Sequence, residues 1–237
     1  MSAKALLSAS VSAPPAVYVE DVFSTYLYTG NGSTQTITNG IDLSGEGGLV
    51  WLKNRTASYG ENHALYDSAR GIGSNLVYKD LSTDSTYGQS DKSTVGLSAL
   101  NSDGFTVISS NNQFNNSAYT YASWTFRKAE KFFDVVTFTA AAGAYSATVN
   151  HSLGSTPGCI IVKCTSSGGA VGDWNVWHRS LASDKALVLN SSSAQNAPGT
   201  NWITANSTSF SVNGSLPTDN ATYVAYLFAH DAGGFGD

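Results

Sequence analysis

Two short apolar runs, one in each half of the chain, form the clearest pattern in the sequence. Residues 48–53 read GLVWLK and residues 158–163 read GCIIVK, each a glycine, four apolar residues and a lysine. Four apolar residues are too few for a helix, and β-branched and aromatic residues after a glycine favour a buried strand. Because both faces of this strand are apolar, we expect the other half or a neighbouring subunit to cover the second face.

Other apolar segments recur in the same order in both halves. Asp134 corresponds to Asp21 (113 residues earlier), and segments 158–163, 209–212 and 223–228 correspond to 48–53, 104–107 and 121–126. This order predicts a tandem duplication of one module of roughly 100 to 110 residues. Short strands separated by glycine, asparagine and serine predict an all-β fold. We expect two antiparallel β-sandwiches of jelly-roll or lectin-like type, 21–130 and 131–237, after an extended arm, 1–20.

Two connections invite local predictions. Asn31 and Gly32 form a strong hairpin signal, so we expect a strand over 22–28 to pair with a strand over 34–37. The polar segment 80–93 has no periodicity and predicts a long surface loop, the kind of segment that often carries binding residues on a rigid scaffold.

The N-terminal arm consists of small residues followed by two prolines, which favour an extended backbone. An extended arm is held in place only by contacts with something else, and we expect a partner subunit to supply them. The residues predicted to dock are Leu6, Leu7, Val11, Pro14 and Pro15.

The charge of the chain narrows the classes of partner. Charged residues make up only 12%, about half the usual share, and the net charge is −5. A nucleic-acid partner requires a basic patch, so we expect none. No apolar stretch approaches the ~18 residues of a membrane span, so we expect no membrane partner. Polar, uncharged surfaces are common on extracellular or particle-exposed β proteins.

Cofactors and disulfides are not expected either. Cys159 and Cys164 are five residues apart on one predicted strand, about 16 Å in an extended chain, which is too far for a disulfide. The four histidines form no metal-binding pattern, so we predict no metal and no cofactor. Oxygen-rich loops such as 102–104 leave a calcium site open as an alternative.

The sequence predicts no enzyme. The Gly-x-Ser-x-Gly signature of serine hydrolases is missing, and nothing sets two carboxylates across a cleft as a glycosidase needs.

One segment, 174–179, is rich in side chains that bind sugars. On a strand Trp174, Val176 and His178 would share one face, with Asn175, Trp177 and Arg179 on the other. Such residues can stack on a sugar ring and hydrogen-bond its hydroxyls, although an amphipathic strand with two aromatic core anchors is the simpler interpretation. The candidate binding residues, for a glycan or a protein partner, are Trp174, Asn175, Trp177, His178 and Arg179, with Tyr87 on the predicted loop.

Longer blocks of the sequence resemble a known module. Residues 28–35 (YTGNGSTQ), 39–43 (NGIDL), 48–55 (GLVWLKNR), 122–129 (ASWTFRKA) and 223–236 (YVAYLFAHDAGGFG) together resemble an uncharacterised β-rich module of tail-fibre and other virion proteins of marine bacteriophages. The resemblance covers about residues 20–237 and implies a virion structural protein without catalytic residues.

From the resemblance we expect a structural protein of the tail-fibre or appendage type on the surface of the virion. It would dock on other virion proteins through the arm and present its sandwiches for assembly or host attachment. We expect a homo-oligomer, with a trimer favoured, and a host surface glycan is a candidate ligand. The first alternative is a capsid decoration or head-fibre protein. The second is a carbohydrate-active enzyme of the host envelope.

Overall fold

A computed structural model of the chain describes residues 17–56, 60–71, 78–91, 94–108, 110–140, 146–166, 172–199, 201–213 and 220–230. The first half contains a short helix and seven strands: α1 (Val19–Val22), β1 (Phe23–Thr29), β2 (Gln35–Thr38), β3 (Gly48–Asn54), β4 (Ala64–Asp67), β5 (Gly96–Asn101), β6 (Gly104–Ile108) and β7 (Thr120–Arg127). The second half contains eight strands: β8 (Phe133–Thr139), β9 (Ser146–Asn150), β10 (Pro157–Cys164), β11 (Asn175–His178), β12 (Leu187–Val188), β13 (Ile203–Ala205), β14 (Ser209–Asn213) and β15 (Thr222–Ala229).

Each half is a two-layered antiparallel sandwich. In the first half a sheet of order β1-β7-β3-β4 lies opposite a sheet of order β2-β6-β5. In the second half the orders are β8-β15-β10-β11-β12 and β9-β14-β13. The predicted all-β sandwich fold is confirmed. The two strand orders correspond, with β12 as an addition, while duplication as the origin of the halves stays a prediction.

Each sandwich encloses its own apolar core, because alternate side chains of facing strands point inward. In the first half Ile37, Val50, Phe105 and Tyr121 are among the buried residues of this core. In the second half the corresponding core includes Val149, Ile160, Phe210 and Tyr223.

A third apolar layer joins the two sandwiches. It contains Leu49, Leu65 and Leu81 of the first half and Phe133, Val135, Trp174, Val224 and Tyr226 of the second. Trp51 and Ile161, from the two runs that the sequence singled out, pack against it. The second faces of β3 and β10 are therefore covered by the other half of the same chain, which was one of the two predicted alternatives.

Strand registers fix which residues of the two halves are counterparts. In the first half, β3 pairs with β7 so that Leu49 faces Phe126 and Trp51 faces Trp124. In the second half, β10 pairs with β15 in the same way, and Cys159 faces Phe228 while Ile161 faces Tyr226. These pairs have the predicted spacing.

The predicted alignment of the first strand of each half is wrong by three residues. Phe23 pairs with Phe126, and Phe133 pairs with Phe228, so Phe133 is the counterpart of Phe23. Similar apolar alternation along both strands allows either alignment in the sequence, and only the pairing across the sheet decides between them.

The hairpin predicted at Asn31 and Gly32 is also wrong. Strand β1 pairs with β7, and β2 pairs with β6 in the opposite sheet. The turn is held from outside, because the Gly30 and Gly32 N–H groups donate to the carbonyl oxygens of Tyr119 and Asn115 at 3.0 and 2.9 Å. These bonds carry the chain across the end of the sandwich.

Several further expectations concern the ends and the cysteines. Cys159 and Cys164 are free thiols. The predicted docking residues Leu6, Leu7, Val11, Pro14 and Pro15 lie outside the described residues, and α1 spans the predicted end of the arm at residue 20. Within the described ranges no helix has the length and apolar character that a membrane crossing requires.

The shared layer makes a prediction about stability at two counterpart leucines. Leu81 bridges to Leu65 and is 1% exposed, whereas Leu187 pairs with Val176, the counterpart of Leu65, and is 40% exposed. Replacing Leu81 with alanine should lower the free energy of unfolding by about 2–5 kcal/mol, since it opens a cavity between the halves. The control Leu187→Ala should cost about 0.5 kcal/mol or less. Urea unfolding of dilute protein measures both, and equal losses would contradict the shared layer.

Candidate functional site

An aromatic cleft opens on the first sandwich beside the layer that joins the halves. Trp51, His63, Trp124 and Phe126 line it, and it encloses about 230 Å³. The rings of Trp51 and Trp124 meet edge to face with centroids 6.1 Å apart. Their registers place both side chains on the face of the sheet that points toward the second sandwich. The cleft can therefore take an apolar or ring-shaped group of a ligand or partner.

His63 gives this cleft its polar group. The indole Nε1–H of Trp51 donates to His63 Nδ1 at 2.8 Å, so Nδ1 carries no proton. Burial, and then the nearby Lys53 ammonium, lower the pKa of His63, which keeps the imidazole neutral at neutral pH. The proton then lies on Nε2, which has no hydrogen-bond acceptor among the described residues. The cleft thus combines aromatic walls with a hydrogen-bond donor on His63.

Trp174, the first residue of the segment predicted to bind a sugar, has a structural role. Trp174 is 1% exposed, and its indole Nε1–H donates to the carbonyl oxygens of Ser82 and Ser85 at 3.0 and 3.2 Å. Its ring also stacks on Tyr226 with centroids 6.2 Å apart. A glycan therefore cannot reach Trp174 in this arrangement.

The remaining candidate residues do not converge on one site. Trp177 packs against the core of the second sandwich, on the opposite face from Trp174 as the alternation predicts. Asn175 and His178 are half-buried and Arg179 is exposed. Tyr87 is 64% exposed on a different segment. Arg179 and Tyr87 remain available to a partner, but the described geometry gives them no common pocket.

The segment over 80–91, here called the bridging loop, connects the two halves. Leu81 exchanges two backbone hydrogen bonds with Leu65, and Gln89 N–H donates to Thr165 O of the second half at 3.2 Å. A Cβ atom on Gly88 would lie 1.9 Å from Ser166 O, so only glycine fits there. The prediction of a surface loop is thus wrong for most of this segment, because it is pinned between the sandwiches and only parts such as Tyr87 face outward.

The lysines that end the two apolar runs hold neighbouring loops. Lys53 Nζ donates to the carbonyl oxygen of Glu61, and Lys163 Nζ donates to the carbonyl oxygen of Gly172. The two acceptors occupy matching positions, because Glu61 lies two residues before His63 and Gly172 lies two residues before Trp174. Lys163 also donates to Thr86 O in the bridging loop at 2.9 Å and lies 5.8 Å from the Trp174 ring centroid. One buried ammonium thus ties both halves together.

A buried ion pair lies at the other side of the shared layer. Arg70 Nε donates to Asp67 Oδ2 at 2.6 Å, and the hydroxyl of Tyr226 from the second half donates to the same oxygen at 2.7 Å. Burial alone would lower the pKa of Arg70, but the Asp67 carboxylate raises it, so the guanidinium stays charged. Removing one member would leave a buried charge without its partner, at a cost of about 3–5 kcal/mol.

A second, polar cleft of about 290 Å³ lies between the halves near this pair. Its lining includes Arg70, Lys79 and Gln89 from the first half, and Thr137, Thr139, Thr165 and Thr222 from the second. Thr165 and Thr222 hydroxyls are 2.8 Å apart. Asp67 already neutralises Arg70, so Lys79 is the remaining cationic side chain in the lining of this cleft.

In the part of the chain that the structure describes, no group of three or more His, Cys, Asp or Glu side chains is placed to hold a metal ion. Among those residues, the imidazole of His63 hydrogen-bonds to the Trp51 indole, and that of His151 hydrogen-bonds to backbone groups of Asn206 and Leu153.

Sequence reasoning missed the aromatic cleft. The sequence predicts Trp51 only as part of a buried strand, and His63 and Trp124 lie 12 and 73 residues away from it. The available signal was the alternation along 121–126, which puts Trp124 and Phe126 on one face. Which strand lies beside β3 decides whether those rings meet Trp51, and that information is long-range.

Comparison with known proteins returns one family. The model of a family described as a domain of unknown function, DUF7483, matches residues 19–236. No curated protein and no solved structure matches the chain significantly.

The buried ammonium of Lys163 predicts how stability depends on pH. Burial lowers the pKa of Lys163 to about 8, whereas the unfolded chain keeps the ordinary value near 10.4. Between these values the unfolded chain binds more protons than the folded chain, so through this group the free energy of unfolding rises as pH rises. Urea unfolding at a series of pH values from about 7.5 to 9.5 should show this rise in the wild type relative to Lys163→Met. Parallel profiles would contradict it.

Proposed function

This chain belongs to the DUF7483 family, and we propose that it is a non-enzymatic structural protein of a bacteriophage particle, of the tail-fibre or appendage type. It docks through its N-terminal arm and presents surfaces of its double sandwich for assembly or host attachment. The resemblance of the blocks over 20–237 to the virion module supports the proposed location on a bacteriophage particle. The small share of charged residues is typical of an exposed β protein.

The aromatic cleft carries this proposal. Trp51 and Trp124 form a half-exposed recognition surface, and the sheet beneath them is packed on both sides. A surface built on strands that are fixed from two sides keeps its shape without a ligand, which favours binding by a preformed site. Such a surface suits contact with another protein or with a glycan ring.

Labelling of purified particles tests the proposal. Electron microscopy with an antibody against this protein should place the label on the virion, at the tail if the protein belongs to a fibre or appendage. Tens of copies per particle or fewer fit that location, whereas hundreds of copies and label over the head would replace it with capsid decoration. Protein found only in the lysate of infected cells and never on particles would refute a virion role.

Enzymatic activity is tested separately. Incubation of the protein with host polysaccharide should leave the chain length of the polysaccharide unchanged. Shortened products would overturn the non-enzymatic proposal and favour an enzyme that acts on the envelope.

A further inference from the structure

The aromatic cleft lies close to the point where strand β15 ends. Along β15, the hydroxyl of Tyr226 donates to Asp67 in β4, and further on the ring of Phe228 meets the ring of Phe126 in β7 with centroids 5.6 Å apart. Because β3 lies between β4 and β7, β15 crosses the first sheet from its β4 side toward its β7 side. Phe126 is one wall of the cleft. The chain therefore leaves β15 beside the cleft.

The cleft is continuous with the contact between the halves. Trp51 lines the cleft and, together with Phe228, also lines a small cavity in the shared layer. The ring of Phe126 contacts Phe132 and Phe133 of the second half, with centroids 6.3 and 5.5 Å apart. A ring placed in the cleft would thus extend an aromatic cluster that the two halves already share.

The walls of the cleft narrow the kind of occupant. The cleft encloses about 230 Å³, and an apolar cavity of about 150 Å³ is enough to hold a benzene ring. Burial lowers the pKa of His63, and of the nearby charged groups Lys53 lowers it while Asp84 raises it, so a cation and an anion offset each other at the rim. The walls therefore fit a neutral aromatic ring, with a carbonyl oxygen beside it to accept from the Nε2–H of His63.

The segment that follows β15 carries one such ring. Residues 231–237 read DAGGFGD and follow His230, the last residue of the final described range. Phe235 is the only large apolar residue among them, and a glycine on either side leaves no neighbouring side chain to obstruct its approach to a wall. Phe235 lies five residues beyond His230, and five extended residues span at most about 18 Å. Phe228, which already touches the cleft wall, is only two residues before His230, so the ring of Phe235 is within reach of the cleft of its own chain.

We propose that residues 231–236, here called the capping segment, fold back over Phe126 and place the ring of Phe235 in the aromatic cleft of the same chain, against Trp51 and Trp124. The Nε2–H of His63 then donates to a backbone carbonyl oxygen of the capping segment. The contact is held by apolar and aromatic surface and by this hydrogen bond, without an ion pair. The occupant of the cleft is thus a part of the chain itself.

The cap changes how the cleft meets an outside partner. A short tether gives the ring an effective concentration in the millimolar range, so even a weak contact keeps the cleft occupied. A partner must displace Phe235, and its apparent affinity is lowered by the fraction of chains whose cleft is free. This inference goes beyond the proposed function, because it concerns the chain alone and holds or fails wherever the protein is located.

Indole signals in ¹H–¹⁵N NMR spectra of the full chain test the proposal. The chain has five tryptophans, and the variants W51F and W124F identify the Nε1–H signals of Trp51 and Trp124. Phe235→Ala removes the ring from the cleft, so both signals should move while those of the other three tryptophans stay in place. The matched control is Tyr87→Ala, which removes an exposed ring from the bridging loop and should leave the signals of Trp51 and Trp124 unchanged. Signals of Trp51 and Trp124 that do not respond to Phe235→Ala would overturn the proposal and leave the cleft to a glycan or a protein partner.

A peptide added in trans separates loss of the cap from loss of folding. The peptide DAGGFGD, added to the Phe235→Ala chain, should return the two signals toward their wild-type positions, with half of the effect at roughly millimolar peptide. The same peptide with alanine in place of phenylalanine should have no effect, and a misfolded variant could not be restored in this way. Signals that stay in place at about 10 mM peptide would overturn the proposal.

Dilution of the wild type distinguishes a cap within one chain from a contact between copies. The ring and the cleft belong to the same chain, so the Trp51 and Trp124 signals should keep their positions over the whole concentration series. Signals that move on dilution toward those of the Phe235→Ala chain would assign the ring to a neighbouring copy and overturn the cap.

Discussion

The structure depends on the burial of strands that are apolar on both faces. One face of β3 or β10 belongs to the core of its own sandwich, and the other needs a cover that a single sandwich cannot supply. Each fully buried Leu, Val or Phe side chain contributes about 1.5–3 kcal/mol relative to exposure, so the layer that contains Leu49, Phe133 and Val224 outweighs the cost of joining the halves. Four sheets therefore stack as one unit.

Polar groups at the margins of this layer fix how the halves meet. An apolar contact alone allows sliding, whereas the Tyr226 hydroxyl on Asp67 and the Lys163 ammonium on Thr86 each require one relative position. Buried groups of this kind cost free energy to desolvate and add little net stability. These groups disfavour other arrangements of the halves, because any other arrangement would leave a buried charge or hydroxyl without a hydrogen-bond partner. The halves thus have one defined arrangement, which keeps the aromatic cleft open at its side.

Local patterns predicted most of the strands and the faces of their side chains. Residues 48–53 and 158–163 lie within strands β3 and β10 as predicted, and Trp174 and Trp177 lie on opposite faces as alternation requires. The failures all involve partners distant in sequence. The turn at Asn31 has the sequence of a hairpin turn, but the neighbouring Gly30 and Gly32 N–H groups donate to Tyr119 and Asn115. The polar segment 80–91 is pinned between the halves because Trp174 and Lys163 donate to its carbonyl oxygens. The aromatic cleft was hidden for the same reason, since β7 brings Trp124 beside Trp51.

The two sandwiches form one rigid body joined by the shared layer. Native-state hydrogen exchange of the protein tests this most directly, because it reports the free energy of opening for individual strands. If the shared layer joins the halves, the slowest amides of β7 in the first sandwich and β15 in the second should open with one common free energy, equal to that of global unfolding. Two clearly different values, with one sandwich opening while the other stays closed, would contradict the account.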